Sequence, residues 1–369
     1  MVTDTDDMTP QGPRGPRGQG VARSSSGRLH RPSLPRFTPW GVLVIAAGLA
    51  WLCSTLVTGG FNWALFGIGT VLIYVLVIQL ISRWVEGARR ATDRTVTAIV
   101  VTAFALALLP LASVVWTVVR RGLERFDVEF FTFSMRGILG EGGGIYHALL
   151  GTLLVTLLTA LISVPIGIMT AVYLVEYGRG ALARAITFFV DVMTGIPSIV
   201  AGLFAYSLFA LIFGPGIRMG AMGAVALSVL MIPVVVKSAE EMLKLVPNHL
   251  REASYALGVP KWRTIVKIVL PTSAAGIATG VTLAIARVIG ETAPLLVTVG
   301  ITSGTNLSLF DGRIATLPVF AYYEYVTPGV PPDPYLDRAW SAALLLIIIV
   351  MALNLLARLI SRVFSPKTP

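Results

Sequence analysis

Eight apolar runs dominate this chain, at about 40–58, 61–82, 95–119, 147–175, 184–213, 219–237, 273–299 and 340–360. A helix needs about 20 apolar residues to cross the hydrocarbon core of a bilayer, and nearly all of these runs reach that length. In lipid every backbone polar group must be satisfied internally, so runs of this length read as helices. The predicted fold class is therefore all-α: a polytopic membrane helical bundle of about eight transmembrane helices. The fourth, fifth and seventh runs are longer than a crossing requires and are expected to tilt or break. Charged residues make up 13% of the chain, against about 25% in soluble proteins, which excludes a water-soluble enzyme. The single cysteine, Cys53, excludes a disulfide framework, and His30, His147 and His249 are too scattered for a histidine-built metal site.

The net charge of +10 is explained by where the basic residues lie. With the first segment on the inner side, inward segments hold 21 Lys and Arg and outward segments hold seven (Arg120, Arg121, Arg125, Arg136, Arg218, Arg313 and Arg338). That asymmetry is the positive-inside pattern and predicts both termini in the cytoplasm. No nucleic acid is needed to account for it. Residues 1–38, rich in Pro, Gly, Ser and Arg, are expected to form a disordered basic cytoplasmic tail rather than a signal peptide. Residues 39–94 are expected to form two N-terminal spans, and 95–369 the main body. The outward segment 300–339, with Tyr322, Tyr323, Tyr325, Pro328, Pro331, Pro332 and Pro334, is expected to be ordered, either capping the bundle or contacting an external partner.

Segment 238–272 carries the densest local signals. Ser238 with Glu241 reads as a capping box opening a short helix. Pro247 suits the start of a second helix, and Gly258 its end, where a left-handed residue is needed. Pro260 then restarts a helix that Pro271 is expected to stop. Glu252-Ala253-Ser254, Gly258 and Ile268-Val269-Leu270-Pro271 resemble the signature loop of ABC-importer permeases, with Ser254 in place of an alanine. The resemblance implies a coupling elbow, with Glu252, Ala253, Ser254, Gly258, Leu270 and Pro271 docking on a separate ATP-hydrolysing subunit. A small residue at 254 should permit close docking. The chain has no G-x-x-x-x-G-K-[ST] sequence, so ATP and Mg are expected to be used by that partner, with no cofactor bound by this chain.

In the seventh run Arg287 and Glu291 lie deep in apolar sequence. A mid-membrane arginine costs about 2.5–3.5 kcal/mol on insertion scales, so it should face protein or water. On a continuous helix the i,i+4 spacing places the two side chains together. Gly276, Gly280, Ala284, Arg287, Glu291 and Pro294 would then fall within about 80° of one another at roughly 100° per residue. The predicted stripe joins small residues, which permit close helix approach, to a charge pair. A guanidinium in low dielectric suits an oxyanion such as phosphate, gripped through two parallel hydrogen bonds. The alternative is a buried ion pair that only sets helix register.

The run Ala286-Arg287-Val288-Ile289-Gly290-Glu291-Thr292-Ala293-Pro294 resembles the corresponding span of phosphate-importer permeases of the PstA type. Thr194 to Gly202 in the fifth span and Thr316-Leu317-Pro318-Val319 add to that resemblance, which covers about residues 95–369. It implies a six-span permease core, preceded here by two additional spans, in the inner membrane of a bacterium. The implied function is the permease subunit of an ATP-driven inorganic phosphate importer, not an enzyme. The implied partners are a second permease, two ATPase subunits, an external phosphate-binding protein and membrane lipid. Arg287 and Glu291 would be the charge pair of the substrate pathway. Pro197, with Ser198 after it and Gly195 and Gly202 nearby, is expected either to break a pathway-lining helix or to make a simple packing kink. Two rivals are a permease for molybdate, tungstate or phosphonate, and an ion-coupled secondary transporter using Arg287–Glu291 as a proton relay. A third, an intramembrane enzyme acting on lipid phosphates, lacks an evident nucleophile–base pair.

Overall fold

The computed structural model describes residues 34–35, 37–58 and 61–364. Nearly all of the predicted basic tail, and Lys367, lie outside the described residues. The helices, in chain order, are α1 (Thr38–Thr58), α2 (Trp63–Val85), α3 (Ala88–Gly122), α4 (Val128–Thr132), α5 (Tyr146–Val172), α6 (Ala181–Thr194), α7 (Ser198–Phe213) and α8 (Gly220–Lys244). They continue with α9 (Asn248–Ala256), α10 (Lys261–Thr264), α11 (Leu270–Val288), α12 (Ala293–Thr298), α13 (Leu317–Val326) and α14 (Asp333–Phe364). Wide π-turns extend α5 over Tyr173–Tyr177 and join α10 to α11 over Ile265–Val269. Among the described residues seven helices are long and apolar enough to cross a membrane, and the bent pair α6–α7 makes eight when counted as one span. The predicted all-α bundle of about eight spans is what the chain forms.

Two compact units divide the chain between Pro110 and Leu111, inside α3. In the first, α1 packs along α2, with Ala46, Ala50 and Ile78 buried. A Cβ at Gly69 would come within 3.3 Å of the Ala50 side chain, so small residues permit this approach. Glu86, between α2 and α3, is buried. It accepts hydrogen bonds from Leu34 N (2.8 Å), Ser82 Oγ (2.8 Å) and, through both oxygens, Arg94 (2.7 and 2.9 Å). Burial works against its ionisation, but the Arg94 guanidinium and the other donors prevail and hold the carboxyl down at about 2. Since 4.5 is its ordinary value, the stability it contributes is complete above pH 4.5 and is lost as pH falls through 2. Acid titration of this unit's helicity should therefore show a loss over that window, and Glu86→Gln should flatten it. An unchanged titration would remove the carboxylate from the account.

In the second unit α5 and α8 form the central pair, and α11, α12 and the segment before α13 close over them. Val155, Leu227, Met231, Val235, Ala284, Val288 and Leu295 make the shared core. Glycines set the closeness. A Cβ at Gly151 would lie 2.0 Å from the Ala315 carbonyl oxygen, and one at Gly167 would lie 2.6 Å from Val235 Cγ1. Thr152 Oγ1 accepts from Leu317 N at 2.7 Å, tying the 300–339 segment to α5. That segment is ordered, as expected, and caps the bundle, since Ala315, Leu317 and Phe320 are buried in a core with Phe130 and Ile145.

Three expectations from the sequence do not hold in the fold. Ser238 opens no helix, because α8 runs without a break to Lys244. Its Oγ instead sits where a Cβ at Gly280 would be, 1.8 Å away, and Met242 fills the equivalent place at Gly276. This contact with α11 needs the unbroken helix. Pro271 stops nothing, because it lies in the first turn of α11 and the helical path from Lys261 continues to Val288. The π-turn over Ile265–Val269 contains Lys267, the residue four before Pro271 whose carbonyl its ring would otherwise meet. The seventh span is not one helix over 273–299: α11 ends at Val288 and α12 begins at Ala293. Pro294, in the first turn of α12, cannot continue an α-helix through Gly290, so the chain restarts there.

Candidate functional site: a double helix break and an anchored elbow

Two interrupted spans meet in the second unit. The α6–α7 pair is bent by 109° at Gly195-Ile196-Pro197. Pro197 takes an extended backbone (φ −59°, ψ 137°) just before Ser198, the first residue of α7. The fifth span is therefore a broken helix, well beyond a packing kink. Five residues past Pro197, Gly202 is buried, and a Cβ there would lie 2.7 Å from Pro294 Cα and 2.9 Å from its oxygen. Glycine at 202 thus lets α7 lie against the start of α12, next to the break that carries Glu291. Pro197 and Ser198 lie five and four residues before Gly202 in the chain, and Glu291 lies three before Pro294.

Arg287 occupies the last turn of α11 and is exposed; Glu291 lies in the break and is half-buried. Among the described residues no ion pair joins them, because the helix that would have aligned them ends at Val288. The single stripe expected for α11 is also divided. Gly276 and Gly280 are used for packing on α8, and Ala284 is fully buried in the core, whereas Arg287 projects from the surface of the chain. Among the described residues Arg287 is a guanidinium without a carboxylate ion-pair partner, at the end of a helix and four residues before Glu291.

At the other end of α11 the elbow has the expected punctuation. Pro247 immediately precedes α9, Gly258 turns the chain at φ +74°, and Pro260 immediately precedes α10. Glu252, Ala253, Gly258 and Pro271 are exposed, while Leu270 is half-buried in the core under the elbow. Ser254 is buried, and its hydroxyl shares a 2.8 Å hydrogen bond with Thr264 that joins α9 to α10. It braces the elbow from within. Tyr255, Leu257 and Trp262 are the large exposed side chains of the outer surface.

What holds the elbow was not legible in the sequence. Arg251 binds Glu176 Oε1 through Nε (3.0 Å) and Nη2 (2.9 Å), and donates to the Val246 and Leu243 carbonyls at 2.6 and 3.1 Å. Lys261 donates to the Glu176 carbonyl and lies over the Tyr177 ring, 4.7 Å from its centroid. Glu176 is in the π-turn at the end of α5, and its side chain is only 5% exposed. The two partners, Glu176 and Arg251, are 75 residues apart in the chain, so no local pattern links them. Asp191 pairs with Lys237 at 2.9 Å, and both side chains are exposed to solvent.

A second buried pair lies at the opposite end of the core. Arg338 Nε donates to Glu324 Oε2 (2.7 Å), Nη1 donates to Gly140 O (2.6 Å), and the Tyr335 ring lies 4.5 Å from Arg338 Cζ. Burial pushes the Glu324 carboxyl up, and Arg338 pulls against it. Arg338 was counted in the sequence as one outward charge and is instead fully buried. His147 packs edge-on to Phe320 beside this pair, at the wall of a 610 Å³ cleft. Among the described residues no group of three or more His, Cys, Asp or Glu side chains is placed to hold a metal ion.

Residues 163–368 match the family described as binding-protein-dependent transport system inner membrane component. The chain is 50% identical over 276 residues to phosphate transport system permease protein PstA 1 of Mycobacterium tuberculosis strain CDC 1551, covering 74% of this chain and 89% of that protein. It is 48% identical over 285 residues to the PstA permease of Mycobacterium leprae, covering 76% and 91%. Among solved structures, the inward-facing MetNI methionine ABC transporter aligns with a TM-score of 0.46 at 21% identity, over 60% of this chain and 95% of that one.

Proposed function

The chain belongs to the PstA family of phosphate transport permeases, and from that premise we propose how its geometry moves phosphate. The chain is the membrane-spanning permease subunit of an ATP-driven phosphate importer and is not itself an enzyme. It pairs with a second, similar permease, two ATPase subunits and an external phosphate-binding protein. ATP and Mg are used on the ATPase chains. The observation that carries the proposal is the meeting of two helix breaks next to Arg287, which is exposed and has no ion-pair partner among the described residues. Irregular backbone at membrane depth is tolerated where it lines a cavity or is buried in protein. An arginine at such a break needs an anionic partner, and a tetrahedral oxyanion supplies it through two charge-assisted hydrogen bonds. The open side of Arg287 is where the second permease completes the path. Glu291 approaches Arg287 when phosphate has left and holds the cation between cycles.

The elbow couples this path to ATP hydrolysis. Glu252, Ala253, Tyr255, Leu257 and Trp262 form the surface that docks on the ATPase, and Gly258 sets its turn. Because α10, the π-turn and α11 form one helical path, displacement of the elbow moves Arg287 at its far end. The excess of Lys and Arg on the inward segments supports both termini being cytoplasmic. The test is the assembled transporter in liposomes, with the binding protein outside. Phosphate should stimulate ATP hydrolysis and be taken up in an ATP-dependent way, while molybdate, tungstate and phosphonates should do neither. Equal stimulation by another of these anions would reassign the substrate. Uptake driven by a proton gradient without ATP would overturn the coupling.

A further inference from the structure

The first unit contains a groove that no step of phosphate transport uses. It encloses about 410 Å³ and is lined by Trp40 and Leu43 of α1, Val71 and Tyr74 of α2, and Arg94 and Val101 of α3, among others. That volume lies within the roughly 300–1,000 Å³ range of small-molecule pockets. Its lining is mostly apolar, with one charged side chain at one end. On α3 the groove runs from Arg94 to Thr102, and on α2 from Ile78 back to Thr70. Eight residues at 1.5 Å each make it about 12 Å deep on both walls.

Arg94 is positioned for a ligand. Its Nε and Nη2 are held by Glu86, which fixes the guanidinium plane, and its Nη1 has no hydrogen-bond partner among the described residues. Arg90, exposed and one helical turn earlier, lies on the same face of α3. Trp40, 68% exposed at the groove's rim, is a residue type enriched at membrane–water interfaces. Arg83 and Arg89 are also exposed at this end, and the acids nearby are Asp93 and the committed Glu86. The end is therefore net positive, and basic pockets between transmembrane helices suit anionic lipid headgroups.

We propose that this groove binds an anionic phospholipid, with one acyl chain between α1, α2 and α3 and its phosphate held between Arg90 and the free Nη1 of Arg94. Tyr74 lines the groove one helical turn from Ile78, along the path that the glycerol esters of such a lipid would take after the phosphate. The site does not depend on the phosphate path and would stand if that assignment failed.

The test is native mass spectrometry of the complete transporter released from nanodiscs of equal phosphatidylglycerol and phosphatidylcholine. The wild type should retain phosphatidylglycerol in preference. Arg90→Gln should reduce that preference about fivefold, the effect of one basic residue at an anionic surface. Val101→Trp fills the groove from a position that is already 60% exposed, and it should reduce retention of both lipids. Equal retention of the two lipids by the wild type would overturn the proposal, and so would full retention by Val101→Trp. Density from another protein helix, or from this chain's own amino-terminal residues, in the groove of the assembled complex would also end it. Should a variant fail to assemble, the comparison of the two lipids on the wild type decides alone.

Discussion

Arg287→Ala is expected to abolish ATP-driven phosphate uptake by the assembled transporter. Each hydrogen bond to a charged group contributes about 1.5–3 kcal/mol, so losing a two-bond grip corresponds to about a hundredfold or more in rate. The chain should still fold, because Arg287 is exposed and supports no ion pair among the described residues. Arg287→Lys keeps the charge but not the planar fork and should recover only part of the uptake. Glu291→Gln should leave phosphate entry largely intact and slow the return of the empty transporter. Initial uptake rates in liposomes distinguish these effects. Wild-type uptake by Arg287→Ala, with the complex shown to be intact, would remove Arg287 from the path.

The second large effect is expected far from the substrate. Glu176→Ala removes the carboxylate that receives Arg251, leaving a mostly buried guanidinium without its counter-charge. Breaking a buried pair from one side costs about 3–5 kcal/mol, enough to free α9 from the end of α5. Phosphate-stimulated ATP hydrolysis should then be lost or become independent of phosphate, while binding-protein docking on the far side is unaffected. Ser254→Ala removes one neutral hydrogen bond, to Thr264. It should cost only about 1 kcal/mol and preserve most coupling. ATPase rates with and without phosphate, together with co-purification of the ATPase subunits, separate loss of coupling from loss of assembly. Tight, phosphate-dependent turnover in Glu176→Ala would show that the elbow is held by other contacts.

The difference between these two variants follows from what each pairing depends on. The spans, the Gly258 turn and the placement of α9 and α10 were legible because they rest on local rules. Apolar length sets a crossing, and a glycine accepts a positive φ where a helix must reverse. The Glu252-to-Pro271 spacing and the Arg287-to-Pro294 run were equally legible, since both lie within one stretch of chain. Reading the second run as one helix failed because the 3.6-residue period was carried across Gly290 to Pro294. The proline ring, not the apolar pattern, decides where α11 stops.

The sequence by itself determined a helical membrane bundle, the family to which it belongs, and the residues available for an oxyanion path and a coupling elbow. Only the tertiary structure decided which of them face outward. Gly276 and Gly280 were absorbed into contact with Ser238 and Met242, Ser254 turned inward to Thr264, and Arg338 was buried on Glu324. The physical reason is that helical periodicity orders side chains around one axis but does not say which neighbour occupies which side. That choice is made by close packing between helices distant in sequence. A glycine four residues from another marks a near approach, and only the opposing helix shows whether the partner is a substrate path or a serine of the same chain.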